Sequence, residues 1–521
     1  METIQQKKTS AHFRNRLLGM MMLFMLTASA CHLPLAAADG PGNPAFRQTQ
    51  AAGILNPSGL DEIQDKIIET PVPIIVAPPG PAIQRMDGRL VYTTQQGDTL
   101  SALALRFAAP VPEVQSDVDL MLVGLLPIGV KVSIPDNLES VLPYHTPILP
   151  DSEVIYGPSV GSFDAEFYAN AAGGYLSQYT EIIRGKMLTG PQIVQLVAIE
   201  TSTNPRLLLA FLEYRSGWVS DHPAGVENDR YPIGYNAPAD WGLYKELMIT
   251  ARLLAQGYYG WRDGSRLHVR FEDKSSGRLS PGLNAGSIAL MTLFGALYTR
   301  DVWEEELISP GGFLTFYETM FGDYWTRAAA VEPYLLTSTP QPDLALPFTP
   351  GERWSLTGGP HIAWQTGTPR GALDFAPITG ETRCIVSSRW STAAAPGLVV
   401  RAAHNAVALD LDGDGDEGTG FVLVYMHMAE EGMAQVDDWL EKDMPVGHPS
   451  CEGGQSSGTH LHLARKFNGE WLGVDEPFPL ILSGWRAVAG GTNYVGELQK
   501  GEQIVTSRPD GSSGSTIIRE E

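Results

Sequence analysis

The spacing of apolar positions changes character along the chain. After four basic residues (Lys7, Lys8, Arg14, Arg16) comes an apolar run from Leu17 to Leu26 and then small residues, Thr27-Ala28-Ser29-Ala30. That order predicts a secretory signal, and the run is too short for a permanent membrane span. Residues 31–90 carry Pro41-Gly42, Pro71-Val72-Pro73 and Pro78-Pro79-Gly80, the pattern of an extended tether. An alternating segment at Val91 to Thr94 leads to a Gly-Asp turn, a helix with Leu100, Leu103, Ala104 and Phe107 on one face, and a second alternating segment, Gly129 to Pro135. Residues 160–335 show helical periodicity at Ile193 to Ala198, Leu207 to Leu212, Leu243 to Leu254 and Ile288 to Leu297. Pro-rich residues 336–350 predict a linker, 351–485 alternate like strands, and the Gly/Ser-rich 500–521 predicts a disordered tail. The predicted fold is multidomain α+β: a small βααβ module over 91–136, an all-α middle domain and a C-terminal antiparallel β-sheet domain.

Length and charge narrow the functions. A chain of 521 residues suits about three folded units. The formal charge of -23 argues against nucleic-acid partners. Export then bears on the three cysteines. Ala28-Ser29-Ala30-Cys31 resembles a bacterial lipobox, so that either Cys31 becomes a lipidated first residue, the sole route to a membrane, or an ordinary signal peptidase cuts at Ala30 or near Ala36-Ala37-Ala38. Cys384 and Cys451 remain as an even pair that an oxidising compartment joins, tying the loop before position 460 to a core strand; two buried free thiols are the alternative.

The 91–136 module, from Gly97-Asp98-Thr99-Leu100 to Gly129–Pro135, resembles the lysin motif (LysM), which implies binding to peptidoglycan or chitin glycan. The usual Asn before the last strand is missing, with Asp117 and Asp119 nearby. The helix from Asn204-Pro205 to Ser216-Gly217-Trp218 is similar to the one bearing the catalytic acid of lytic transglycosylases. Arg215 stands in the Glu position, and Glu213 is rotated about 200° away, so the helical domain reads as non-catalytic.

Six of the eleven histidines fall between 361 and 462. In Thr459-His460-Leu461-His462-Leu463 the two imidazoles lie two residues apart on a strand and share a face, which suits a borderline metal such as zinc, or one ligand plus one acid/base group. His361, the Asp374 segment Ala372-Leu373-Asp374-Phe375 and Tyr425-Met426-His427 precede them; His404 and His448 read as ordinary side chains. In this order the residues resemble the lysostaphin/LytM-type zinc metallopeptidases of peptidoglycan, and the long His361 to Asp374 spacing resembles their β-lytic subgroup. The resemblance implies one zinc on His361, Asp374 and His462, with His427 and His460 as the catalytic pair. It implies an exported, extracytoplasmic endopeptidase that cuts peptidoglycan stems or cross-bridges. A non-catalytic envelope scaffold or amidase activator is the rival, in which the ligands would typically be lost. Asp410, Asp412, Asp414 and Asp416, with Gly415 sixth, open like a calcium loop, but Phe421 stands at its twelfth position; an acidic hairpin turn is the other reading.

Overall fold

The computed structural model describes residues 82–138, 140–222, 230–235, 241–339, 341–379 and 384–520. The predicted signal, Cys31 and the tether up to residue 81 lie outside the described residues. Those described fall within one compact unit, a mixture of helices and antiparallel sheets. Among them, no helix is long and apolar enough to cross a membrane.

The first module begins earlier than its alternation suggested, because Ile83–Met86 (β1) forms a hairpin with Arg89–Thr93 (β2). Gln115–Ser116 (β3) and Lys131–Pro135 (β4) complete a sheet of order β1-β2-β4-β3. Thr99 caps helix α1, Leu100–Arg106, by accepting from the Ala102 amide. The expected second helix is a single 3-10 turn, Val111–Glu113. Pro110 and Pro112 bracket its start, and Pro112 has no N–H to extend a hydrogen-bonded ladder.

In the middle region, α2 (Ala165–Ala172), α3 (Tyr175–Gln178), α4 (Gly190–Thr201), α5 (Pro205–Ser216), α6 (Leu243–Arg262) and α7 (Ala285–Leu297) are followed by α8 (Arg300–Ile308), α9 (Phe313–Phe321) and α10 (Tyr324–Ala329). A capping box of Thr189 and Gln192 starts α4, and Asn204 with Pro205 starts α5. The core runs through α7, which is apolar on nearly every side and buried from Ala285 to Gly295. The region is not all-α. Two hairpins interrupt it, β5 with β6 (Thr180–Ile183, Lys186–Thr189) and β7 with β8 (His268–Arg270, Ser276–Arg278), each too short to carry a helical period.

The C-terminal region is built on β9 (Arg353–Ile362), β10 (Arg370–Pro377), β11 (Ser391–Thr392), β12 (Gly397–Ala403), β13 (Ala406–Asp410), β14 (Phe421–Met426), β15 (Trp439–Leu440), β16 (Pro445–Gly447), β17 (Leu461–Phe467) and β18 (Glu470–Trp471). It continues through β19 (Ile481–Leu482), β20 (Trp485–Ala489), β21 (Gly496–Lys500), β22 (Gln503–Thr506) and β23 (Thr516–Ile518). Nine strands form one sheet in the order β15-β12-β13-β14-β17-β10-β9-β23, with β18 on β17. Its neighbours pair antiparallel, and β19 to β22 make a second sheet of four.

The alternation of β17 divides the large sheet. Leu461 and Leu463 join Leu373, Phe375, Leu423, Tyr425, Val407 and Leu409 in the core. His462, Ala464 and Lys466 face the other way, opposite Met426, Val424 and Val422 of β14. Two predicted boundaries are corrected here. Leu344, Leu346 and Phe348 of the supposed linker are buried in this core. The supposed disordered tail forms β22 and β23, and Ile517 is buried where β23 pairs with β9. Val505 in β22 and Ile517 in β23 are β-branched apolar residues that these strands bury despite the Gly and Ser between them.

Candidate metal centre

His361 lies near the end of β9, Asp374 in β10 and His462 in β17, and register brings them together. Asp374 pairs with both His462 and Gly358, and His361 pairs with Ala372. His361 Nε2 lies 3.0 Å from His462 Nδ1, and Asp374 Oδ1 lies 3.3 Å from each of these nitrogens. All three residues are buried.

Hydrogen bonds set the tautomers. His361 Nδ1 lies 2.9 Å from the Gly359 carbonyl and His462 Nε2 lies 2.9 Å from that of Ala363. Each carbonyl accepts an N–H, which leaves His361 Nε2 and His462 Nδ1 as lone-pair nitrogens. The same device recurs beside them. His427 Nδ1 donates to Glu452 O at 2.8 Å and His460 Nδ1 to Gly458 O at 2.8 Å. Their rings are 4.4 Å apart between centroids, and His460 Nε2 lies 3.7 Å from Asp374 Oδ1. His427 itself has a φ of +64°, an unusual value for a residue other than glycine, at the end of β14. Burial, reinforced by the neighbouring His460, pushes its pKa down to about 4.

The residues fit zinc. In a tetrahedral site with bonds of about 2.0–2.1 Å, adjacent ligand atoms sit about 3.3 Å apart, as the three do here. Asp374 Oδ1 is buried without a hydrogen-bond partner. Two lone-pair nitrogens and a carboxylate oxygen repel one another at such distances unless a cation lies among them. Gly358 makes room for that carboxylate, since a Cβ there would lie 2.2 Å from Asp374 Oδ2.

Several contributors escaped the sequence reading. The four carbonyls that orient the imidazoles belong to no motif of side-chain types. The pair Gly358-Gly359 before Pro360-His361 was a usable signal for a crowded backbone. Tyr494, beyond the predicted domain end, stacks on His361 with centroids 4.2 Å apart and planes 21° apart.

Other singled-out residues lie elsewhere. Cys384 and Cys451 form a disulfide with Cα atoms 5.4 Å apart. It joins two loops, not a loop to a core strand, and the adjoining contact is Ile385 with Thr459. Asp410, Asp412 and Asp414 bring carboxylate oxygens within 4.8 Å of one another. Asp416 accepts from the Gly418 amide, and Phe421, at the twelfth position, is buried in β14. Glu213 accepts from the amides of Val219 and Ser220, a structural role at the end of α5. His404 meets Glu200 at 3.0 Å, and His448 meets the Arg389 carbonyl at 3.1 Å.

Comparison with known proteins adds similarity over much of the chain. Residues 147–334 match the family described as LasA, N-terminal domain. Protease LasA of Pseudomonas aeruginosa is 23% identical over 376 residues, which cover 68% of this chain and 80% of that protein. The same protein from a second strain is 22% identical over 377 residues. Among solved structures, the deep-sea M23 metalloprotease pseudoalterin is 23% identical, with a TM-score of 0.27, covering 32% of this chain and 96% of that one. The catalytic domain of lysostaphin from Staphylococcus simulans is 19% identical, with a TM-score of 0.18, covering 24% and 89%.

Proposed function

We propose that the protein is an exported zinc metalloendopeptidase that cuts peptide stems or cross-bridges of peptidoglycan. One observation carries the proposal: two lone-pair imidazole nitrogens and an unpartnered carboxylate oxygen converge within 3.3 Å, beside two further histidines. Similarity to a protein named as a protease supports it.

His361, Asp374 and His462 would hold the zinc, which supplies Lewis-acid chemistry when bound, polarising a carbonyl and acidifying water. The carbonyls of Gly359 and Ala363 keep both ligands in the metal-facing tautomer. His427 and His460 each keep an Nε2 lone pair while Nδ1 is tied to a carbonyl, so either can take a proton at Nε2. Once protonated, that nitrogen can return the proton to a leaving amine or donate a hydrogen bond to a developing oxyanion.

The 82–136 module would hold the enzyme on glycan. Its open surface includes a pocket of about 470 Å³ lined by Leu100, Val111, Val114, Gln115, Ser116 and Val118. Its Gly97-Asp98 turn is instead buried against the helical region, where Arg262 donates to the Gln96 carbonyl at 2.6 Å.

The test is zinc stoichiometry together with peptide release from purified cell walls. One zinc per chain with release supports the proposal. Folded protein that binds no zinc and releases no peptide refutes it.

A further inference from the structure

The carbonyl that fixes the tautomer of His427 sits on the loop around Glu452, and what holds that loop lies outside the metal centre. β12 and β13 are joined by the two-residue turn His404-Asn405, with φ of +54° and +62°, the left-handed hairpin turn that Asn tolerates. The ladder between β13 and β14 ends with Ala406 opposite Met426. His427 then enters its own left-handed conformation, so strand pairing stops at the residue whose direction matters most.

Asn405 takes over at that point. Its backbone carbonyl accepts from the Met428 amide at 3.1 Å, and its Nδ2 donates to the Met428 carbonyl at 3.0 Å and to Glu452 Oε2 at 2.7 Å. Both partners of Nδ2 are acceptors only, which fixes the orientation of the amide and uses both of its hydrogens. Glu452 Oε2 also accepts from the Glu430 amide at 3.2 Å. The side chain of Glu452 is thus held against the residues that follow His427, while its carbonyl accepts from His427 Nδ1 at 2.8 Å. A second clasp lies beside the first, because the Ser450 amide and hydroxyl both donate to the His427 carbonyl, at 2.7 and 2.9 Å. The loop also lies close against the turn. A Cβ on Gly453 would lie 2.5 Å from Asn405 Cβ and 2.7 Å from the His404 carbonyl. In a neutral imidazole, the acceptor offered to one ring nitrogen decides where the proton sits. Loss of the Glu452 carbonyl would let the proton of His427 move to Nε2, which could then no longer take one.

We propose that Asn405 and Glu452 are positioning residues for His427, clamping the Glu452 carbonyl onto Nδ1 so that Nε2 keeps its lone pair and its direction. The effect on turnover rests on the role given to His427 above; the clamp on its tautomer does not.

The test uses the full chain supplied with zinc. Asn405→Gly keeps a residue suited to positive φ and removes the amide, and Asn405→Asp sets one carboxylate against another. Glu452→Ala removes the acceptor, and Glu452→Gln restores one. The first readout is the nitrogen-15 spectrum of labelled histidine side chains, with the His427 signals identified by their loss in His427→Gln. Wild type and Glu452→Gln should hold the His427 proton on Nδ1, and the other three variants should shift it toward Nε2. The second readout is peptide release from purified cell walls as a function of wall concentration. In those three variants kcat should fall about 10-fold or more, with apparent KM and zinc content unchanged, whereas Glu452→Gln should stay within about 2-fold of wild type. An unshifted tautomer in Asn405→Gly and Glu452→Ala overturns the clamp, as does a fall in kcat that Glu452→Gln shares or that accompanies lost zinc. Should the Asn405 variants fail to fold, the contrast between Glu452→Ala and Glu452→Gln decides. If wild type releases no peptide, the function proposed above fails and the spectra still decide the clamp. Unshifted spectra beside an active wild type sink the clamp alone.

Discussion

Asp374 and Glu417 belong to the same region, are nearly equally buried, and each sits among nitrogen-bearing side chains, yet they are opposites in hydrogen bonding. Both Glu417 oxygens are taken by Arg401 and Lys466. Asp374 Oδ1 faces the lone-pair nitrogens of two imidazoles whose N–H groups, on the opposite ring nitrogens, are given to backbone carbonyls, and it has no hydrogen-bond partner. A buried carboxylate is tolerated when cations or donors complete it. Glu417 is completed by the chain itself, whereas Asp374 Oδ1 is not. Saturation, more than burial or residue type, separates the structural cluster from the chemical one.

The strongest way to break this contrast is His462→Ala. It should abolish stoichiometric zinc and lower hydrolysis at least about 10³-fold, whereas retained zinc would show that the Asp374 cluster is not the metal site. Next, His427→Ala and His460→Ala should each lower turnover about 10²- to 10⁴-fold while zinc content stays near one per chain. A zinc assay beside the kinetics separates these roles from ligation.

On the other side of the comparison, Glu417→Ala should cost about 3–5 kcal/mol in denaturant unfolding, because it strands two buried cations. Glu417 also predicts acid sensitivity. Burial would raise its pKa, but Arg401 and Lys466 outweigh burial and push it down to about 2. Its contribution is therefore fully present above the unfolded carboxyl value of about 4.3, and is lost as pH falls from there through about 2. Glu417→Gln should flatten that part of the stability-pH curve, and an unchanged acid limb would remove Glu417 from the account. The smallest effect expected is from Cys384→Ser with Cys451→Ser, about 2–4 kcal/mol by the same unfolding measurement. The disulfide lies between loops and touches neither carboxylate, so zinc content should not change.

Much of this was legible in the chain, for reasons of periodicity. Apolar residues at helical spacing marked α4, α5, α6 and α7, because a helix must bury one stripe whatever its neighbours. His460-Leu461-His462 declared its shared face through the two-residue period of a strand. Local composition misled where distant strands decided the outcome. The Gly/Ser-rich tail is ordered because β23 finds an edge at β9, and Leu344 to Phe348 are buried because a core lies beneath them. The sequence by itself determined which side chains could serve a metal and on which face of their own strands they stand. Only the tertiary structure decided that Asp374 Oδ1 lacks a hydrogen-bond partner while Glu417 has two. Those relations depend on strand register and on backbone carbonyls that every residue possesses, so no residue type announces them.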